Sequence, residues 1–241
     1  MFYFLLAPLM TYNFILIAAA VIPAVFLMIK VFRSDRLERE SPSLLLRLAV
    51  MGVLSSLLAL VEEWVLEGLL GLLVSEQSTA YNILLYFVVV AVSEESSKYL
   101  FMKRATWRSP EFNCQYDGVV YAVFVSLGFA LWENISYVMN YGFSTALVRA
   151  VTAIPGHACF GVFMGVFYGL AKRYENLRDT AASKAFRFLA LLVPVLLHGA
   201  YDYIATMQTP SGDWYFIGFV AVMFIFSFIM VSRMSKRDRY I

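Results

Sequence analysis

Two adjacent glutamates inside an apolar run, Glu94 and Glu95, are followed three and four residues later by Lys98. On a helix Glu94 and Lys98 share a face, and Glu95 lies about 100° round, three residues from the same lysine. One ionisable residue in a hydrocarbon span costs roughly 2.5–3.5 kcal/mol on insertion scales, so three within five residues need a reason. One reason is a water-activating centre; the other is a buried ion pair that ties two helices together. Further residues point to the first. The chain has two histidines, His157 and His198, and both interrupt apolar runs. His198 and Asp202 are spaced i, i+4, so the carboxylate can orient the imidazole or bind alongside it. Pro155-Gly156 loosens the helix ladder just before His157 and allows close approach of backbone or substrate. Glu133 and Tyr137 form another i, i+4 pair, with Asn134 beside them.

Two chemistries suit these residue types. In one, a glutamate takes a proton from water, which attacks a carbonyl while His with Asn or Tyr stabilises the oxyanion. In the other, His157, His198 and a carboxylate, Glu133, hold a zinc ion, and a second glutamate is the base. There is no HExxH, so zinc rests on residue types alone and both chemistries stay open. Ser93, Ser96, Ser97 and Cys159 lack the elbow context of a nucleophile.

The elements that must position these groups are membrane helices. Of 241 residues, 61% are hydrophobic and 15% charged, against roughly half and a quarter in soluble domains. The surplus falls in stretches of about 20 residues, the length that crosses a bilayer. The expected architecture is an all-α polytopic membrane protein, one helical domain over 1–241. Seven spans are predicted, near 10–32, 44–63, 80–102, 117–139, 144–171, 185–207 and 214–232. An apolar interfacial start precedes the first, Ser43 caps the second, and 65–74 reads as a helical extension or an interfacial turn. The catalytic core is expected in spans three to six, about 80–207. Of the 19 Lys and Arg, 18 fall in alternate loops and the C-terminal tail, with Lys98 counted at a loop edge; Arg149 is the exception. That asymmetry puts the N-terminus outside and the C-terminus in the cytoplasm. Counting about 1.5 Å per residue places Glu94, Glu95, Glu133, His157, His198 and Asp202 near the midplane, where they could line one cavity. Cys114 and Cys159 have neither disulfide nor CxxC spacing. The net charge of +2 with no basic, aromatic-interleaved patch gives no sign of nucleic-acid binding.

Ordered along 90–205, the residues resemble a known family. Glu94-Glu95-Ser96-Ser97-Lys98 is similar to the EExxK motif of the PrsW intramembrane proteases, relatives of the CAAX prenyl endopeptidases and the Abi immunity group. Asp117-Gly118-Val119-Val120-Tyr121 resembles that family's DGxxY(G), with Ala122 where glycine is usual. The stretch from Gly128 through Glu133-Asn134 to Tyr137 resembles GFAxxENxxY, and His157 and His198–Asp202 fit the last two motifs. The resemblance implies a bacterial membrane endopeptidase making the first cut in an anti-sigma factor, on its extracytoplasmic side. Glu94, Glu95 and His198 would be essential, and Glu133, His157 and Asp202 would complete the site. Its partners would be lipids and a single-span membrane substrate. Competing readings are a CAAX/Abi-like peptidase or immunity protein with another target, a scaffold, and a proton-coupled transporter, against which the lack of inverted repeats and broken-helix pairs counts. A retinal protein is excluded, since 214–232 has no lysine.

Overall fold

A computed structural model describes residues 2–241 apart from 208 and 210, with side chains from 11 onward. The interfacial reading of residues 1–10 therefore lies outside the described side chains. Among the described residues the regular elements are all helices, without a strand. Helix α1 covers Phe2–Ser34, α2 Pro42–Leu73, α3 Thr79–Leu84, α4 Ala91–Thr106, α5 Asp117–Tyr141, α6 Phe143–Val151, α7 Ala153–Asn176, α8 Thr180–Ala205 and α9 Gly212–Lys236. Six helical stretches are long and apolar enough to cross a membrane: Thr11–Ser34, Pro42–Leu73, Asp117–Tyr141, Phe143–Asn176, Thr180–Ala205 and Gly212–Lys236. Their outward faces carry Phe14, Phe26, Val61 and Phe228 in the open, an arrangement that suits acyl chains and not water.

The remaining long helix departs from the expected straight span. Between α3 and α4 the chain runs through a π-helical turn, Leu85–Val90. A π turn holds more residues than an α turn and so rotates everything after it about the axis. The rotation matters because Glu94, Glu95 and Lys98 begin one turn later and end up buried. Phe87 in this turn lies against Gly199, where an added Cβ would come within 2.5 Å of the ring. The expected fifth span is likewise interrupted. It breaks at Thr152 (φ −120°, ψ −75°) into α6 and α7. Pro155, with no N–H to give to the turn before it, is three residues on. Non-helical backbone at this depth is tolerated where it faces a cavity, and Thr152 does.

At the start of α2, Ser41 and not Ser43 is the cap. Its side chain accepts from the Leu44 N–H, and Pro42 occupies the first turn, where its missing N–H costs nothing. Residues 65–73 simply continue α2, settling the open choice there as helical extension.

Helix α5 is central: 78% of its apolar window is buried, against 17% for peripheral α9. Glycines set how closely its neighbours approach. A Cβ on Gly52 would lie 2.2 Å from the Val125 carbonyl, and one on Gly128 2.2 Å from that of Ala49, so α2 and α5 cross backbone to backbone. Gly118 and Gly165 do the same for α5 and α7. Small residues at such crossings give dispersion contact where no hydrophobic force acts between helices.

The Asp117–Tyr121 motif lies at the opposite end of α5 from Glu133. Asp117 accepts from the amides of Asn113 (3.0 Å) and Cys114 (2.6 Å), and Tyr121 donates to Glu40 (2.9 Å). The C-terminal tail closes over this loop: Gln115 N–H donates to Arg239 O (3.0 Å), Ile241 N–H to Asn113 O (2.8 Å), and Asp238 accepts from Tyr116 N–H (2.8 Å). Burial, with Asp238 nearby, raises Asp35 to about 6. Burial, helped by Glu111 and Asp35, raises Glu40 to about 7. Cys114 and Cys159 are free and buried.

Candidate active site

Lys98 is the hub. Fully buried, its ammonium donates to Glu94 Oε2 (2.9 Å) and Glu95 Oε1 (2.7 Å) and lies 3.2 Å from His157 Nδ1. Three donors meet three acceptors, and the Phe129 ring covers the remaining side at 3.9 Å. Lys98 therefore does not belong with the basic loops where charge counting put it; 17 of the 19 cations remain there. On its far side His157 Nε2 lies 2.8 Å from Glu133 Oε2. A carboxylate at that distance favours the tautomer with hydrogen on Nε2, leaving the Nδ1 lone pair for the ammonium.

His198 enters from α8. Its Nδ1 is 2.9 Å from Glu95 Oε1, and its Nε2 is 3.3 Å from Asp202 Oδ2 and 3.9 Å from Glu94 Oε2. Phe160 stacks on the ring at 4.7 Å. The i, i+4 pair read from the sequence is thus formed, and two helices fix the imidazole from both edges.

These groups surround a cavity of about 760 Å³ lined by Glu63, Glu94, Glu133, Arg149, His157, His198 and Asp202, with Tyr137 and Tyr201. Glu95 and Lys98 stand behind that wall with no exposure. Of the two adjacent glutamates, Glu94 meets the cavity. Asn134 does not: its amide donates to Ala20 O (3.0 Å) and its oxygen accepts from Arg149 Nε (2.8 Å). Tyr137 lies under the Arg149 guanidinium at 4.0 Å.

Two cavity residues were not singled out for chemistry. Arg149 pairs with Glu133 at 3.0 Å; its signal was being the one cation on a side otherwise without Lys or Arg. Glu63 faces the cavity with Ser56 and Leu60, and the i, i+4, i+7 spacing of these three was available in the sequence.

The donors also meet a test for a metal. Atoms of Glu94, Glu95 and His157 lie within 4.8 Å of one another. Glu95 Oε2 is a buried acceptor without a partner among the described residues. Carboxylate oxygens with one imidazole nitrogen suit a divalent ion such as zinc, and the Glu133 contact to the outer nitrogen is the usual support for a ligating histidine. The Lys98 ammonium stands among them, already on Glu94, Glu95 and the inner nitrogen of His157, so an ion held by these residues would have to displace it. The expected set of His157, His198 and Glu133 is not the one these atoms form among the described residues, since Glu133 meets His157 at Nε2, away from Glu94 and Glu95.

A lipid-facing helical bundle enclosing carboxylates, imidazoles and an ammonium around one cavity has the construction of an intramembrane hydrolase. Residues 40–231 match the family model of the PrsW family intramembrane metalloproteases, and the chain belongs to that family of membrane proteases. It is 34% identical over 205 residues to Protease PrsW of Geobacillus kaustophilus (85% of each chain). It is 31% identical over 226 residues to Protease PrsW of Bacillus subtilis (94% of this chain, 96% of the relative). To Protease PrsW of Clostridioides difficile it is 29% identical over 223 residues (90% and 89%). No solved structure matches the chain.

Proposed function

We propose that this membrane protease is an endopeptidase of the bacterial cytoplasmic membrane that cuts a single-span membrane protein. Its substrate would be an anti-sigma factor cleaved first on the extracytoplasmic side. The observation that carries the reading is that Glu94 meets the cavity while sharing Lys98 with Glu95 and lying within 3.9 Å of His198. Acid and base thus stand on one wall.

Glu94 takes a proton from water as its oxygen attacks the peptide carbonyl, and His198 passes a proton to the departing amine as the C–N bond breaks. Glu95 and Asp202 hold the His198 ring in place from either edge. Lys98 fixes both glutamates, and Glu133 holds His157 with its lone pair turned inward. If the Lys98 ammonium gave way, Glu95 and His157 would help hold a zinc ion, which when bound would supply Lewis acidity at this point, with Glu94 left as the base. The single helical domain has its core in 80–207, to which α2 adds Glu63. Seven crossings oriented by the Lys and Arg asymmetry would put the N-terminus outside and turn the cavity end of α5 and α8 toward the extracytoplasmic half.

Purified protein in liposomes with a single-span anti-sigma substrate tests this. Cleavage should occur, fall about 100- to 10,000-fold in Glu94→Gln, and vanish in His198→Ala with the melting curve retained. Undiminished cleavage by Glu94→Gln would overturn the assignment, and proton flux without cleavage would make the protein a transporter. Metal analysis with chelator titration of the same preparation tests the zinc.

A further inference from the structure

A second cavity, of about 510 Å³, opens between α1, α7 and α9. It is separate from the first in both place and chemistry. At its mouth stand Lys30, Arg33 and Arg36, all exposed and none in an ion pair among the described residues. Its inner walls are mostly apolar, including Leu27, Val162 and Phe224, with Ser227, Ser232 and Ser235 interspersed along α9. Along α9 the lining runs from Phe224 to Ser235, eleven residues or about 16 Å of helix rise. That is half the hydrocarbon thickness of a bilayer, about 30 Å. The cations lie at the end of the bundle that holds most of the basic residues. A groove one leaflet deep with positive charge at its headgroup end matches one kind of occupant.

We propose that this groove binds one anionic phospholipid, its headgroup on Lys30, Arg33 and Arg36 and an acyl chain running inward along α9. Basic pockets between membrane helices hold such headgroups by charge, while the chain fills the apolar wall. The floor of the groove gives the binding a consequence. Pro155, Ala158, Cys159 and Val162 line it at i, i+3, i+4, i+7, one face of α7. His157 projects from the other face, about 200° from Pro155 and Cys159. A bound chain therefore supports from behind the helix that carries His157, beside the break at Thr152. The lipid assignment itself does not depend on the protease reading.

The test uses full-length protein in nanodiscs of phosphatidylcholine with or without phosphatidylglycerol, followed by native mass spectrometry. The wild-type chain should retain one phosphatidylglycerol in preference to phosphatidylcholine, and inorganic phosphate should not compete. Each cation at an anionic surface is worth roughly fivefold, so Lys30→Gln/Arg33→Gln/Arg36→Gln should lower that preference about a hundredfold. Ser232→Trp, which fills the groove and leaves the charges, should exclude the lipid while the protein melts at its usual temperature. Equal retention of the two lipids by wild type, or undiminished phosphatidylglycerol binding by both variants, would overturn the proposal. So would a photocrosslinker at Phe228 that captures a substrate helix in place of lipid.

Discussion

At the residue scale, His157 shows how much one contact decides. Its two nitrogens face different partners, Lys98 at 3.2 Å and Glu133 at 2.8 Å. Glu133 is itself held by Arg149 at 3.0 Å. Removing the charge from Glu133 leaves the imidazole free to choose the wrong tautomer. Glu133→Gln should reduce kcat by about 10- to 100-fold, the usual cost of losing such a supporting carboxylate. The loss should appear in kcat with KM little changed, since Glu133 acts through His157; steady-state cleavage rates at several substrate concentrations read the difference. The cavity wall carries five carboxylates, Glu63, Glu94, Glu133, Asp202 and Asp213, against Arg149, with the Glu95–Lys98 pair behind it.

At the element scale, the site depends on helices that approach closer than ordinary side chains permit. Gly128→Val places a branched side chain against the Ala49 carbonyl, which lies 2.2 Å from an ideal Cβ. Forcing α2 and α5 apart should destabilise the protein by about 1–3 kcal/mol or more, and it should withdraw Glu63 from the cavity. A lowered melting temperature checks the first effect. The acidic cluster under the tail adds a pH dependence. Asp35 rises from its ordinary 3.8 to about 6, and Glu40 from 4.5 to about 7. Between pH 4 and 7 the folded form therefore holds more protons than the unfolded one, so stability from these groups is greatest near pH 4 and declines as pH rises to 7. Amide exchange at Gln115 and Ile241, corrected for intrinsic rates, should show more frequent tail opening at pH 8 than at pH 5. Asp35→Asn with Glu40→Gln should flatten the trend.

At the scale of the whole molecule, the uneven distribution of Lys and Arg is the guide to orientation. Cysteines introduced at Ser75 and Ser211 should react with an impermeant maleimide from outside the cell, and one at Arg108 should not. Both native cysteines are buried, so background labelling is low; the reverse pattern would invert the topology. Orientation also sets which half of a substrate helix can reach Glu94, and so which side of the membrane receives the cut.

Composition and hydropathy were enough to identify a helical membrane protein, because burial in lipid demands long apolar stretches that nothing else in a sequence imitates. The residues that cluster at Lys98 stood out for the same reason: Glu94, Glu95, Lys98, His157 and His198 are conspicuous where charge is costly. The interruptions were not. A π turn at Leu85–Val90 and a break at Thr152 arise from packing against neighbours, and local propensity does not announce them. Nor could spacing say that Glu94 would meet the cavity and Glu95 stand behind it, that Asn134 would turn away to Ala20, or that Lys98 would sit among the donors. Those outcomes depend on rotation about each helix axis and on contacts between residues more than a hundred positions apart, and only the folded bundle decides them.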